Sequence, residues 1–186
     1  IGDKVLLLNR FMQGIILSRR DFREVDQIIS VYTKEKGRVE LLARGVKKIT
    51  SKNSAHLEPF SFVDIEIAPG KGIDHLTKVQ PINYFANIRN DLQKSLSAGY
   101  VVSLLDKVLH VGEKDEKLFS ATLNWLEHFN LQLTTYNLQL VDDYIVSLLH
   151  CLGYDIKEVN ENPDHDFIYN FLVERLERKV VDWGCV

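Results

Sequence analysis

The stretch from Gly14 to Lys52 (GIILSRRDFREVDQIISVYTKEKGRVELLARGVKKITSK) leaves little room for anything but a charged sheet. Met12–Arg20 sets Ile15, Ile16 and Leu17 before Ser18, Arg19 and Arg20, and reads as a strand. Asp21–Asp26 is a polar connection. Gln27–Thr33 (QIISVYT) is rich in β-branched residues, which suit a pleated surface. Lys34–Gly37 is a tight turn in which Gly37 supplies positive φ. In Arg38–Val46, Val39, Leu41 and Ala43 alternate with Arg38, Glu40 and Arg44, the period-2 pattern of a half-buried strand, and Leu42 interrupts the polar side.

Lys47–Glu58 is a polar loop of the length that usually accompanies function or mobility. Pro59–Ala68 (PFSFVDIEIA) is a fourth strand with Val63, Ile65 and Ile67 on one face and Asp64 and Glu66 on the other. Pro69–Gly72 is a hairpin turn, and Ile73–Phe85 a fifth strand whose end or edge Pro81 marks. Five short antiparallel strands with one long connection predict a small closed barrel. The oligonucleotide-binding barrel is the commonest five-stranded solution; an SH3-like barrel or a small open sheet has the same periodicity.

After Ala86 the apolar residues step by threes and fours, giving helices over Ile88–Val108, Leu118–Phe129, Leu138–Leu152 and Phe167–Val180. Gly112 with Asp115 marks a stop and a new cap, and Gly153 ends the third helix. The expected class is therefore α+β: a barrel followed by a helical bundle. The domains would be residues 12–86 and 87–186, with residues 1–11 set aside as an N-terminal extension on which no function is built.

A 186-residue chain with 45% hydrophobic and 26% charged residues can bury one large core or two small ones, and its composition gives no sign of disorder. No apolar run approaches the ~20 residues of a membrane span. IGDKVLLLNRF lacks the basic start and longer apolar core of a signal peptide. Cys151 and Cys185 form no C-x-x-C pair; two isolated thiols fit a reducing cytoplasm, with Cys151 expected as a small buried hydrophobe and Cys185 as inert. The net charge of −3 conceals a split: residues 1–86 hold 14 Lys and Arg against 10 Asp and Glu, and residues 87–186 hold 9 against 16. Two surfaces with different partners are implied.

No catalytic set emerges, so an enzyme is not expected. Gly70–Gly72 lacks the spacing of a phosphate loop, the six histidines have no ligand spacing, and neither a serine elbow nor H-E-x-x-H is present. Asp142 and Asp143 point in different directions on a helix, and Asp164–Asp166 suits a helix cap. Basic charge does concentrate. Arg19, Arg20 and Arg23 end the first strand. Lys34, Lys36 and Arg38 flank the first hairpin, while Arg44, Lys47, Lys48 and Lys52 run from the third strand into the long loop. In a barrel these termini can converge on one groove and bind phosphates through counterion release, although any one of them can equally be a solvated strand end. Reversal of Arg44, Lys47 and Lys48 together is expected to abolish binding without unfolding the chain. Phe22, Tyr32, Phe60 and Phe62 are candidates for base stacking, with core burial the competing reading for Phe60 and Phe62. Binding to an acidic protein partner and RNA binding are the alternatives to DNA.

Several ordered motifs resemble the bacterial recombination mediator RecO family. They are Gly14–Leu17, Asp21–Asp26, Thr33–Gly37, Gly45–Lys48, Leu57–Phe60 and Leu76–Thr77, followed by Leu148–Tyr154. The likeness spans Met12 to Tyr154. It implies an oligonucleotide-binding barrel with a helical domain, binding to single- and double-stranded DNA, and annealing of complementary strands. The implied partners are RecR and the C-terminal tail of single-strand-binding protein, with loading of RecA as the outcome. A cytoplasmic, nucleoid-associated protein without cofactor is implied. Met12 falls where members usually begin, which implies that residues 1–11 are not native. Where many members carry a four-cysteine zinc site, Asp155–Pro163 (DIKEVNENP) has no cysteine, so zinc is not expected. The chain ends early for the family, which puts its last helices and the single-strand-binding protein site in doubt.

Overall fold

The computed structural model describes residues 10–48, 54–132 and 138–176. Lys52 and Cys185 lie outside the described residues. Five strands, β1 (Arg10–Asp21), β2 (Gln27–Thr33), β3 (Gly37–Ala43), β4 (Phe62–Ala68) and β5 (Asp74–Asn83), close a barrel in the order β1-β2-β3-β5-β4. Four ladders are antiparallel. The fifth, which closes the barrel, pairs Leu41 and Leu42 of β3 with Asp74 and His75 of β5 in parallel. A purely antiparallel sheet was the expectation. Periodicity does not encode strand pairing, and a closed ring of five strands cannot alternate direction at every contact, so one pair must be parallel.

The alternation read from the sequence fills the interior: Met12, Ile16, Ile29, Val31, Leu41, Ala43, Val63, Ile65, Ile67, Leu76 and Val79 form one buried cluster. Leu17 is buried beside Ile15 and Ile16 because the β1–β2 register slips between Ile16 and Ser18. The Lys34–Gly37 turn has Gly37 at φ 67°, as the turn chemistry requires. The ladder begins at Arg10, ahead of Met12.

The chain divides into two compact units. The first holds the described residues through Tyr84 and, in addition, Leu109–Phe119, which returns to the barrel. There Val111 forms a parallel bridge with Arg38, Gly112 N–H donates to Arg38 O at 2.8 Å, and the Tyr32 hydroxyl donates to Asp115 O at 3.0 Å. No single cut after residue 86 describes this arrangement.

The second unit contains α1 (Ala86–Arg89), α2 (Leu92–Val108), most of α3 (Glu116–Leu131), α4 (Leu138–Cys151), α5 (Ile156–Val159) and α6 (His165–Leu176). The spacing from Ile88 to Val108 predicted one helix. It is broken at Asn90–Asp91 because Asp91 caps α2, accepting Lys94 N–H at 3.0 Å. Asp115 caps α3 through Lys117 and Leu118 N–H, both at 2.9 Å, and Gly153 at φ 85° ends α4. Asp164 caps α6 through Phe167 N–H at 2.9 Å. Asp142, buried on α4, pairs with His165 at 2.9 Å, whereas exposed Asp143 accepts from Gln139. Cys151 is exposed, contrary to the expected burial, because it faces outward in the last turn of α4.

Trp125 stacks between Phe129 (5.0 Å) and Tyr144 (4.9 Å) in the helical core. Burial, outweighing a hydrogen bond with Thr122, pushes the Tyr144 phenol far above the ordinary tyrosine range. Its contribution to stability is therefore complete below the unfolded value, near pH 10, and is lost as pH rises beyond it. Tyr144→Phe is expected to lessen the alkaline loss of stability, read as melting temperature between about pH 9 and about pH 11. Parallel curves for the two proteins would show that this phenol does not govern the loss.

Candidate nucleic-acid interface

One end of the barrel joins two segments into a rim. The register pairs Asp21 with Gln27 and Gln27 with Ala43, so the β1–β2 turn and the exit from β3 emerge side by side. Three further bonds lock them. Gly45 N–H donates to Asp26 Oδ1 at 2.8 Å, Lys47 N–H donates to Val25 O at 3.1 Å, and Lys47 Nζ donates to Asp21 Oδ2 at 2.8 Å. Hydrogen bonds from Gln27 and then Lys47 hold the Asp21 carboxyl below its ordinary range, so it is a carboxylate at neutral pH. The DFREVD segment is thus more than a polar connection: its first and last acids clamp the second basic segment.

The rim gathers six of the expected cations and sorts them. Arg19 is paired with Glu58, Arg20 with Glu40 at 2.7 Å, and Lys47 with Asp21. Arg23 lies over the Phe22 ring, 5.2 Å from its centroid. Arg44 is exposed and 3.5 Å from His75, and Lys48 is exposed. Among the described residues, Arg23, Arg44 and Lys48 have no carboxylate within ion-pair distance. These three offer charge at least cost, since a ligand need not displace an internal carboxylate.

Lys34, Lys36 and Arg38 are not in the rim. Lys34 and Lys36 sit at the opposite end of β2 and β3, about 20 Å away by strand rise, whereas Arg38 reaches back along β3 toward Arg20. Arg38 shares Glu40 with Arg20, at 3.1 Å, and Lys34 lies in the field of Glu116 on the returning segment. The cations expected to line a single groove are therefore spread along the barrel: Lys34 and Lys36 stand apart from the rim, and Glu40 bridges Arg38 to Arg20. Sequence order conceals this because a hairpin puts its turn and its strand exits at opposite ends.

The aromatic candidates separate as well. Tyr32, Phe60 and Phe62 are buried and offer no ring face to a base. Phe119 of the returning segment packs on Tyr32 at 5.4 Å and on Phe62 at 6.5 Å. The β4–β5 register slips between Phe62 and Val63 and Phe60 has φ 54°; none of the three rings joins the barrel's core cluster, and Phe119 is what covers Tyr32 and Phe62. Phe22 alone of the four is exposed, at 47%. Glu40, Glu58, Asp21 and Asp26 are the residues that sequence reading passed over. Each engages a cation or amide at least 19 residues away in sequence, Glu40 in addition to its near neighbour Arg38, so only the pairing of acids with the family motifs hinted at them.

Among the described residues, no three His, Cys, Asp or Glu are grouped to hold a metal ion, and no helix is long and apolar enough to cross a membrane. Asp155–Pro163 forms α5 and a loop, with Asp155 capping through Lys157 N–H.

A five-stranded barrel closed in this order, joined to a helical unit, is an oligonucleotide-binding fold. Residues 11–85 match the family described as Recombination protein O N terminal, and residues 89–160 match Recombination protein O C terminal. The chain belongs to the RecO family. It is 32% identical over 142 residues to the DNA repair protein RecO of Syntrophomonas wolfei, covering 76% of this chain and 56% of that one. To the proteins of the same name from Desulforamulus reducens and Geobacter sulfurreducens it is 34% and 32% identical. Those matches cover 59% and 63% of this chain and 43% and 49% of theirs. The chain thus spans about half the length of these relatives.

Proposed function

We propose that this chain is a DNA-binding recombination mediator that acts in DNA repair by holding strands at the rim of its barrel. The observation that carries this reading is the hydrogen-bonded union of the Asp21–Asp26 turn with Gly45–Lys48, which presents Arg23, Arg44 and Lys48 together with no acidic partner among the described residues. Phosphates are the ligands such a set suits, and their counterions supply the affinity. Relatives named DNA repair protein RecO support DNA as the source of those phosphates. The activity is binding to single and double strands and annealing of complements, in the cytoplasm at the nucleoid. RecR and the tail of single-strand-binding protein are the protein partners, and assisted loading of RecA is the outcome. No chemical step is assigned to the protein.

The test is fluorescence anisotropy with labelled oligonucleotides at two salt concentrations. With three free cations engaged on a single strand, log K should fall against log salt with a slope of about −2. Binding that is absent or insensitive to salt would remove the proposal. Capture of RecR without DNA affinity would favour an adaptor, and preference for matched RNA would point to contacts with the 2′-hydroxyl.

A further inference from the structure

We infer that the rim reads unpaired bases, with Phe22 as the stacking platform that gives single-stranded DNA preference over duplex. This rests on the proposed DNA binding and adds a specificity determinant to it. Three observations carry it.

The first is that the outer face of β2 is closed. On that face Ile28 is half-buried and Ser30 and Tyr32 are 3% and 0% exposed, so the strand face on which barrels of this kind commonly lay nucleotides has no accessible ring. Among the described residues, the exposed phenylalanine and tyrosine rings of the barrel unit are Phe11, Phe22 and Tyr84, and of these Phe22 is the one carried by the rim's Asp21–Asp26 turn.

The second is the presentation of Phe22. A phenyl ring left half in water within a polar turn gives the fold less than a buried one would. It is nevertheless held in place, because Phe22 N–H and Arg23 N–H both donate to Asp26 O, at 3.1 and 3.3 Å. Asp26 in turn takes Gly45 N–H at its carboxylate. The ring therefore stands on a turn fixed at both ends, so little ordering entropy is lost when a base settles on it.

The third is its surroundings. The Arg23 guanidinium covers part of the ring, 5.2 Å from its centroid, and adds a cation to the stack. Arg44 and Lys48 leave the adjoining segment, which is bonded to the same turn through Gly45 and Lys47. An unpaired base can stack on Phe22 while its flanking phosphates meet these cations. In a duplex each base is already stacked and paired, so the cations engage the backbone and the ring engages nothing.

The test compares wild type, Phe22→Ala and Phe22→Trp, as full chains, on a labelled oligothymidylate and on a blunt hairpin duplex with the same number of phosphates. Phe22→Ala is expected to weaken single-strand binding about tenfold and duplex binding less than about twofold. The salt slope should not change, because no phosphate contact is removed, and Phe22→Trp should restore single-strand affinity. Equal losses on both ligands, or no loss on the single strand, would overturn the inference while leaving DNA binding intact. Failure of the wild-type chain to bind either ligand would overturn both readings together.

Discussion

Arg44→Glu combined with Lys48→Glu should weaken single-strand binding roughly a hundredfold, because two phosphate contacts become two repulsions. The salt slope should fall in magnitude by about 1.4, the counterions of two single-strand contacts. Lys47 is left out deliberately. Its Nζ bonds to Asp21 at 2.8 Å, so reversing it would set two carboxylates together and loosen the clamp between the two rim segments. The triple reversal suggested by sequence would mix loss of ligand contact with loss of the rim. Lys34→Glu with Lys36→Glu makes the same change in net charge at the other end of the barrel, and should cost less than about threefold. Equal losses from the two double variants would mean that affinity follows net charge and not the rim. Unchanged melting temperature would separate either result from unfolding.

Gly37→Val should destabilise the chain by about 3–5 kcal/mol, combining strain at positive φ with overpacking against backbone. Gly37 has φ 67°, and a Cβ there would meet Glu113 O at 1.8 Å. The obstacle is a main-chain carbonyl, which cannot rotate away as a long side chain could. It belongs to the returning segment, whose Gly112 N–H bonds to Arg38 O and whose Asp115 O holds the Tyr32 hydroxyl. The substitution should therefore expose Tyr32 as well as strain the turn. Urea unfolding gives the loss, and accelerated hydrogen exchange at Gly112 would place it. A midpoint equal to wild type would mean that the segment does not pack on the turn in solution.

Much of the fold was legible because its signals are local. Val63, Ile65 and Ile67 alternate with Asp64 and Glu66, and this pattern alone says which side of β4 is core. Gly37, Gly112 and Gly153 mark the positions where the chain must turn through positive φ. Asp115 and Asp164 announced the starts of α3 and α6 through short-range capping bonds. Asp91 was missed because the apolar spacing continues across it, and periodicity outweighed the cap.

The candidate site was legible as a sign of charge and not as a place. Period and turn chemistry depend on neighbours a few residues apart, so the sequence by itself settled the strands, the hairpin turns, the helical second half and the basic character of residues 14–52. Ion pairing and burial depend on distances across the fold. Glu40 and Glu58 reach Arg20 and Arg19 from 20 and 39 residues away, and Phe119 covers Tyr32 from still farther. Tertiary structure alone therefore decided which cations stay free for a ligand, which end of the barrel presents them, and why Phe22 is left in solvent when the other three rings are not. Coulomb and packing energies fall off with separation in space, and separation along the chain says little about that once a barrel has closed.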